Sequence, residues 1–305
     1  MAKKIIKLGT YRTLIAQLNK LARHNRQGSF RTKERYYEAC KRFCAFLADK
    51  FHLQKLSNIS GKHLVSYVLY LQEKDLAAST IKTDLAAIRF FHDKMSNPKY
   101  ELPTNDELGV ELERRRFGGA DRTWSEMEFD RMLGWALSED RWDYILALYL
   151  GRCAGLRIHE CFRIDTATAE RALREYDIII KGKGGEVRTV PIDDRIDTAL
   201  SEQLERTPRG HKLLVPDGMP THQAINQLQR FIYSHREEIQ EDASRPLTFH
   251  GLRHTYAAEK YQRLIDSGMS SLDAHFAVSR LLGHERSDVT KIYLASLRKG
   301  EADES

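Results

Sequence analysis

The second half of the chain carries arginine, lysine, histidine and tyrosine side chains in four short stretches that could together act on a phosphate. The stretches are CAGLRIHECFRI (153–164), IKGKGGEVRTVPI (180–192), LTFHGLRHTYAAEKY (247–261) and LLGHERSDVTKIYLASL (281–297). Arginine donates two parallel hydrogen bonds to phosphate oxygens and stays charged at any relevant pH. Histidine transfers protons near neutral pH, and a phenol improves as a nucleophile beside guanidinium groups. These residue types therefore suit phosphoryl chemistry, provided that the fold brings them together.

Taken one at a time, the same features have ordinary explanations. Arg157 and Glu160 are three positions apart and could form a surface ion pair, which contributes about 0–1 kcal/mol. His250 and His254 are four positions apart, as in a zinc site, but the glutamate of the HExxH zinc motif is absent. Tyr293 alone would be an aromatic residue at the edge of a core, with a hydrogen-bonded hydroxyl. No single residue therefore identifies a site.

The order and internal spacing of the stretches are far more specific than any one residue. AGLRIHE, IKGKGGEVRTVPI, HGLRHTYA and LLGHERSDVTKIY resemble the signature boxes of the tyrosine recombinase (phage integrase) family, and the resemblance spans residues 125–298. The basic, helical first part of the chain is similar to the core-binding, SAM-like domain of that family. The resemblance implies an enzyme that cuts and rejoins duplex DNA through a 3′-phosphotyrosine intermediate.

The resemblance also implies a role for each residue. The expected catalytic residues are Arg157, Lys183, His250, Arg253, His284 and Tyr293, with Glu160 behind them orienting a cation or a histidine. Arg157 and Arg253 would clamp the phosphate, and Tyr293 would be the nucleophile. His250 would assist as a base, while His284 would donate a hydrogen bond to the phosphate.

Cutting a phosphodiester without a metal ion requires cations from the protein itself. The sequence has no cluster of Asp and Glu residues that resembles a two-metal site, so guanidinium groups would neutralise the non-bridging oxygens. The leaving oxygen needs a proton, which an ammonium gives up more readily than a guanidinium does. By resemblance Lys183 is the general acid that protonates the 5′ oxygen, and Lys181, on the same strand face, is the alternative. No cofactor and no metal are expected.

Helices are expected to make up the first 100 residues. Apolar residues recur at helical spacing in YRTLIAQLNKLARHN, RTKERYYEACKRFCAFLADKF, GKHLVSYVLYLQEK and TIKTDLAAIRFFHDKM. Ser60 and Ser79 precede the third and fourth of these segments, where Ser60 is the expected N-cap. Residues 1–100 are therefore predicted to form a helical, SAM-like core-binding domain.

A linker is predicted at 101–123 and a catalytic domain at 124–305. ERRRFGGADR and nearby prolines are typical of an exposed linker, and Ser125 is expected to cap the helix that follows it. Two β-branched runs flank the GKGG of 175–193, which predicts a hairpin. Further helices are predicted over 221–240, 250–267, 271–283 and 287–298. The fold class is thus mainly α with a small β-hairpin: a helical bundle followed by an α+β catalytic domain.

Positive charge is concentrated in the first 100 residues. They contain 20 Lys and Arg against 7 Asp and Glu, whereas the whole chain has a net charge of +6. A basic segment joined to a mildly acidic remainder indicates a polyanionic partner, and a solvated basic surface is the alternative. Double-stranded DNA is the expected partner, with no membrane.

Chain length, the hydrophobic and charged fractions and the length of apolar runs indicate the general class of protein. A chain of 305 residues that is 41% hydrophobic and 30% charged is typical of a globular protein of about two domains. No apolar run approaches the roughly 18 residues of a membrane-spanning helix, and no secretory signal is recognisable. A cytoplasmic location is therefore expected, with the four cysteines as reduced thiols.

The function predicted from these features is site-specific recombination. By resemblance, four protomers would assemble on two DNA sites, and an accessory DNA-bending or directionality factor is a further partner to consider. The 30 residues between Arg253 and His284 favour integration or excision of a mobile element. The alternatives are an Xer-like resolvase of chromosome or plasmid dimers, a type IB topoisomerase or hairpin-forming resolvase, and a catalytically silent DNA-binding relative.

Overall fold

Helices account for most of the part of the chain that the computed structural model describes. This part comprises residues 8–23, 30–112, 121–182, 185 and 187–283. The chain divides into two compact units, Met1–Arg115 and Arg116–Ser305. Within the described ranges a single two-stranded sheet accompanies the helices, and no helix is long and apolar enough to cross a lipid bilayer. The mainly helical fold class predicted from the sequence is confirmed.

The first unit is built from helices packed around an apolar core. Its described elements are α1 (Leu8–Arg23), α2 (Phe30–Lys50), a 3-10 turn (Leu56–Asn58), α3 (Gly61–Gln72) and α4 (Ala78–His92). Leu14 and Leu18 of α1 are buried, as are Ile81, Leu85 and Ile88 of α4. Each apolar side chain of this size contributes about 1.5–3 kcal/mol when it leaves water. Burial of these periodic positions confirms the predicted helical bundle.

The starts of α3 and α4 differ in how well the sequence predicts them. Ser60 precedes α3 as expected, and its backbone N–H donates a hydrogen bond to Nδ1 of His63 at 3.0 Å. α4 begins at Ala78, before Ser79, because the carbonyl of Ala77 already accepts a hydrogen bond from the N–H of Thr80 at 2.8 Å. The first turn of α4 therefore includes Ser79, which the sequence pattern places before the helix.

Residues 102–112 pack against the helices of the first unit, although the composition predicts an exposed linker from residue 101. Leu108 is only 5% exposed and belongs to the core of the bundle. The guanidinium of Arg89 in α4 donates a hydrogen bond from Nε to the carbonyl of Pro103 at 2.8 Å. Leucine and valine side chains spaced along this segment bury against the helices, and the proline content obscures that pattern in the sequence.

The second unit combines a hairpin with a larger set of helices. Its described elements are α5 (Glu126–Ser138), α6 (Trp142–Cys153), α7 (Ile158–Cys161), α8 (Thr166–Glu175), β1 (Asp177–Lys181), β2 (Val187–Pro191), α9 (Asp194–Glu205), α10 (Thr221–Ile239), α11 (Phe249–Asp266) and α12 (Ser271–Leu281). β1 and β2 pair antiparallel, from Asp177 opposite Pro191 to Lys181 opposite Val187. The predicted hairpin is confirmed, and the predicted helices at 221–240, 250–267 and 271–283 correspond to α10, α11 and α12. The helix predicted over 287–298 lies outside the described residues.

The sequence-based assignment lacks three helices of the second unit, namely the four-residue α7 and the longer α8 and α9. Each of the two longer helices follows an aspartate that caps it: Asp165 accepts a hydrogen bond from the N–H of Thr168, and Asp193 accepts one from the N–H of Ile196. An aspartate at the N-cap is a recognised helix-start signal. The buried face of α8 consists mainly of alanine and threonine, so it contains few large apolar side chains and the cap is the better indicator.

α11 runs through the interior of the second unit and needs a glycine at its first turn. A Cβ on Gly251 would lie 2.4 Å from the carbonyl oxygen of Arg122 and 2.7 Å from Nε1 of Trp124. Trp124 is tied to the same helix, because its backbone N–H donates to Oγ1 of Thr255 at 2.8 Å. The segment before α5 is thereby fixed against the start of α11.

Replacing Gly251 with alanine should destabilise the protein by about 1–3 kcal/mol, because the added methyl group collides with backbone and with the Trp124 ring. Urea denaturation followed by circular dichroism measures the change. Gly134→Ala in α5 is the matched control, since no atom lies within 4 Å of its Cβ position. This control should be neutral or stabilising by up to about 1 kcal/mol. Equal stability of the two variants would contradict the described packing.

Candidate active site

A sharp turn after α6 places Arg157 at the start of α7. Gly155 has a backbone φ of +62°, a conformation that favours glycine. A Cβ at this position would lie 2.4 Å from the ring of Tyr256. Arg157 then serves as the N-cap residue of α7, and its side chain is 20% exposed. The guanidinium is therefore supported by the fold and still accessible to a ligand.

A buried carboxylate, Glu160, orients Arg157. Oε1 of Glu160 accepts a hydrogen bond from Nη1 of Arg157 at 2.9 Å, and Oε2 accepts one from the Arg157 backbone N–H at 2.8 Å. The Glu160 side chain is 0% exposed. A charged group at such depth requires hydrogen-bonded partners of opposite charge. The structure thus places Glu160 behind Arg157.

Arg188, in β2, holds the other side of the same carboxylate. Its Nη2 donates to Oε2 of Glu160 at 2.7 Å and its Nη1 donates to Oε1 at 3.1 Å, a bidentate pair. Burial alone would raise the pKa of Glu160. The hydrogen bonds from Arg188 and from the Arg157 backbone, together with the two positive charges, lower this pKa to about 2. Glu160 is therefore ionised throughout the neutral range.

Arg188 lies in the stretch IKGKGGEVRTVPI, but the family resemblance implies no role for it. A signal was available, because Arg188 lies two residues from the buried Val190 and opposite the buried Ile180. Side chains two residues apart on a strand share a face, so this arginine points to the apolar side. A charged residue at such a position requires a buried partner.

Arg253 of α11 is fully buried and binds two backbone carbonyls. Nη1 donates to the carbonyl oxygen of Gly155 at 2.5 Å, and Nη2 donates to the carbonyl oxygen of Leu282, just after α12. Its relative exposure is 0%. Arg253 therefore connects the turn before α7 to the end of α12.

His250 lies one turn before Arg253 and shares a cleft with Arg157. Both line a space of about 290 Å³ between the start of α7, α10 and the start of α11. His250 is exposed at this cleft. The protein atoms around its ring lower the pKa to about 4, and the positive charges of Arg253, Arg122 and Arg157 add to this effect. His250 is therefore neutral near pH 7.

His254 supports His250 from the interior. The two rings meet edge to face, with centroids 5.0 Å apart. His254 is 2% exposed, and burial, followed by the charges of neighbouring groups, lowers its pKa to about 3. At this position the imidazole is neutral and packs against His250 inside the protein. Within the described ranges no group of three or more His, Cys, Asp or Glu side chains could hold a metal ion.

The neutral state of His254 predicts a loss of stability in acid. Its pKa in the folded protein is about 3, against an ordinary value of 6.5. Below pH 6.5 the unfolded chain therefore binds a proton that the folded chain does not, so the free energy of unfolding falls as the pH falls. His254→Gln should reduce this dependence between pH 6.5 and 4 by up to about 1.4 kcal/mol per pH unit.

Urea denaturation at several pH values measures this dependence. His222→Gln, at an exposed position of α10, is the matched control and should leave the dependence of the parent protein intact. The same pH dependence in His254→Gln and in the parent protein would show that His254 is protonated in the folded state.

The structure brings together four of the residues singled out in the sequence and does not describe the other three. Arg157, Glu160, His250 and Arg253 lie around the turn before α7 and the start of α11. Lys183, His284 and Tyr293 lie outside the described residues. Lys181, the alternative general acid, ends β1 with an exposed side chain, and its carbonyl accepts a hydrogen bond from Nη1 of Arg163 at 3.0 Å. The described group combines guanidinium cations with a neutral imidazole at a cleft, which suits binding of an anion and acceptance of a proton.

Two family descriptions match this chain. The phage integrase family matches residues 125–299, and the N-terminal SAM-like domain of phage integrases matches residues 14–101. The tyrosine recombinase XerC of Natranaerobius thermophilus is 25% identical over 278 residues, which cover 86% of this chain and 87% of the relative. The sequence similarity therefore extends over both units.

Solved structures of similar fold are also recombinases. The XerH site-specific recombinase bound to a palindromic difH substrate has a TM-score of 0.63 at 19% identity, covering 99% of this chain and 90% of XerH. The Tn1549 transposon integrase in complex with transposon right end DNA has a TM-score of 0.60 at 16% identity, covering 96% and 100% of the two chains. The lambda integrase tetramer bound to a Holliday junction has a TM-score of 0.63 at 15% identity, covering 94% and 76%.

These structural similarities, at identities under 20%, concern the fold. The family match covers residues 125–299, which contain the turn before α7, the hairpin and α11. The two compact units occur along the chain in the same order as the two family matches, and Arg157 and Arg253 both lie within residues 125–299. This chain belongs to the phage integrase family of tyrosine recombinases.

Proposed function

We propose that this chain cuts and rejoins duplex DNA at specific sites through a 3′-phosphotyrosine formed on Tyr293. The observation that carries the proposal is the arrangement around Glu160, which holds Arg157 at a cleft shared with His250, one helical turn from Arg253. An anionic phosphate placed at this cleft would meet preorganised positive charge. Donors fixed in advance stabilise charge that develops in a transition state without the cost of reorganisation.

Each residue takes a separate role in this proposal. Arg157 and Arg253 would neutralise the non-bridging oxygens of one phosphate, while Tyr293 attacks the phosphorus. Arg253 is fully buried in the free protein, where it binds two backbone carbonyls, so this role requires the phosphate to reach its guanidinium. His250 would take the phenolic proton as a base, and it is neutral near pH 7 because its pKa is lowered to about 4. His284 would donate a hydrogen bond to the phosphate. The phosphotyrosine keeps the energy of the broken bond, so the strand can be rejoined without ATP.

Lys183 is proposed as the general acid, and the reaction is proposed to need no metal ion. In the sequence Lys183 lies between β1 and β2, the strands of the hairpin that carries Arg188. Its ammonium would protonate the 5′ leaving oxygen. Lys181, exposed at the end of β1, is the alternative donor.

The assignment of separate functions to successive parts of the chain is also a proposal. Residues 1–100 would form the core-binding domain, with 101–123 as linker and 124–305 as catalytic domain. The excess of 20 Lys and Arg over 7 Asp and Glu in the first 100 residues supports contacts with the phosphate backbone. By analogy with the family, four protomers would assemble on two sites and exchange strands pairwise, with an accessory factor setting direction.

Integration or excision of a mobile element is the biological role that we propose. Thirty residues separate Arg253 from His284, and they include the later part of α11 and all of α12. Resolution of chromosome or plasmid dimers is the second candidate, and it is favoured by the similarity to XerC over 86% of this chain. Mapping the duplex sites that the protein selects from the genome of its own organism distinguishes the two. Sites at the ends of an inserted element support the first role, and one site near the replication terminus supports the second.

A nicked suicide duplex tests the proposed chemistry. Cleavage near the nick releases a short strand and traps the covalent complex, which is visible on a denaturing gel. We expect a protein–DNA band in the presence of EDTA, and its conversion to rejoined product when a 5′-hydroxyl strand is added. Duplex binding without any covalent band would identify a catalytically silent DNA-binding relative. Relaxation of supercoils without exchange between two sites would identify a topoisomerase.

A further inference from the structure

Arg188 contacts two parts of the molecule that the proposed chemistry must hold together. Its Nη1 and Nη2 bind the carboxylate of Glu160, and its Nε donates to the carbonyl of Leu281 at 3.1 Å. Leu281 is the last residue of α12. The Arg188 side chain is 8% exposed, so these three hydrogen bonds form away from bulk water and fix the guanidinium in one plane.

The end of α12 is closely packed at this contact. Gly283 has a φ of +61°, and a Cβ there would lie 3.2 Å from Cδ of Arg188. The N–H groups of Leu282 and Gly283 close the helix end by donating to the carbonyls of Val278 and Arg280. A glycine with positive φ after a helix is a common way to end it. Here the glycine also allows Arg188 to approach the backbone.

Both arginines of the proposed phosphate clamp depend on this region. Arg157 is held by Glu160, which Arg188 grips from the opposite side. Arg253 donates to the carbonyl of Leu282, the residue after the one bound by Arg188. The guanidinium of Arg188 therefore contacts both Glu160, which supports Arg157, and the end of α12. The same end of α12 binds Arg253 through the carbonyl of Leu282. The sequence continues from this helix end toward His284 and Tyr293.

We infer that Arg188 is a positioning residue for strand cleavage, which couples the orientation of Arg157 to the carboxyl end of α12. This inference rests on the proposed function, because it assigns Arg188 a role in the same reaction. The coupling itself is a property of the free protein. Arg188 is not proposed to touch the DNA.

Hydrogen exchange on the DNA-free protein tests the coupling. In Arg188→Met we expect the amides of Leu282 and Gly283 to exchange at least about 10-fold faster, because the helix end loses its anchor. The amide of Ala257, in the middle of α11, should stay within about 2-fold of its original rate. Arg195→Met, at an exposed ion pair in the first turn of α9, is the matched control and should change neither. Unchanged exchange at Leu282 and Gly283 in Arg188→Met would overturn the coupling.

Single-turnover cleavage of the suicide duplex tests the consequence for catalysis. Arg188→Met should form covalent complex about 10²-fold more slowly with duplex affinity within about 3-fold, since small misplacements of reacting groups have effects of this size. Arg188→Lys should recover part of the rate, because an ammonium can still bind Glu160. Cleavage by Arg188→Met at the normal rate would overturn the positioning role.

A double-mutant cycle separates positioning from general loss of stability. If Arg188 acts through Glu160, Glu160→Gln combined with Arg188→Met should cleave no more slowly than the worse single variant, within about 3-fold. If the rate losses of the two single variants multiply in the double variant, the two residues act independently, and this result would contradict the inference. If the parent protein forms no covalent complex on any duplex, the proposed function fails, while the exchange measurement still decides the coupling.

Discussion

Tyr293→Phe should abolish covalent protein–DNA complexes, lowering their rate of formation by about 10⁴-fold or more, while leaving duplex affinity within about 3-fold. The phenolic oxygen is the proposed nucleophile, and phenylalanine keeps the ring without it. Binding depends on the basic first part of the chain and on the arginine clamp, neither of which this change removes. Gel shift with intact duplex measures binding, and the suicide duplex measures adduct formation.

Tyr176→Phe is the matched control for this loss. Tyr176 follows the last residue of α8 and is 53% exposed, and removing its hydroxyl should leave both binding and adduct formation unchanged. Adducts at normal rate in Tyr293→Phe would place the nucleophile elsewhere. Loss of duplex binding together with adducts would mean that the change had damaged the fold.

Arg157→Lys should have the second largest effect, a decrease of about 10²–10³-fold in the rate of cleavage. Lysine keeps the positive charge but loses the planar fork, and it cannot both bind Oε1 of Glu160 at 2.9 Å and donate twice to a phosphate. Stability should change little, because the side chain is 20% exposed and the backbone N–H still bonds to Glu160. Single-turnover kinetics at saturating protein separates this effect from weaker binding.

Arg195→Lys is the control for replacing an arginine in the same unit. Arg195 is exposed and pairs with Asp193 on the surface, so its replacement should not alter cleavage. Near-normal cleavage by Arg157→Lys would show that charge alone is enough at this position. The bidentate clamp would then be wrong, even if the enzyme is a recombinase.

Periodic apolar residues predict the fold of this protein well. The helices with strong periodicity, such as α1, α4 and α10, occur where the pattern places them, and the β-branched runs pair as a hairpin. α8 and α9 are hard to recognise in the sequence, because the buried face of α8 is built from small residues and the capping aspartates are the main indication of where each helix begins. The packing of residues 102–112 is not apparent from the sequence, because prolines there suggest exposure, whereas tertiary contacts bury Leu108.

The sequence predicts the residue types of the candidate site, but it does not predict the hydrogen bonds that hold those residues in place. Motif order places Arg157, Glu160, His250 and Arg253 in the same unit. In the structure Arg157 and His250 line one cleft, Glu160 is buried behind Arg157, and Arg253 is buried one helical turn after His250. The partner of Glu160 in β2 could not be derived from motif order alone, because it depends on how the hairpin packs against α7 and α12. The catalytic roles of all these residues remain predictions, and Lys183, His284 and Tyr293 also lie outside the described ranges.

Mass spectrometry of the trapped covalent complex tests the central claim most directly. The complex is formed on a suicide duplex in EDTA, digested with trypsin and a nuclease, and sequenced for a peptide that carries a nucleotide. Cleavage after Lys291 and Arg298 yields IYLASLR, which contains Tyr293. We predict a 3′-linked nucleotide on that tyrosine. A nucleotide on any other residue, or an adduct that forms only with added metal, would contradict phosphotyrosine chemistry supported by the arginine clamp.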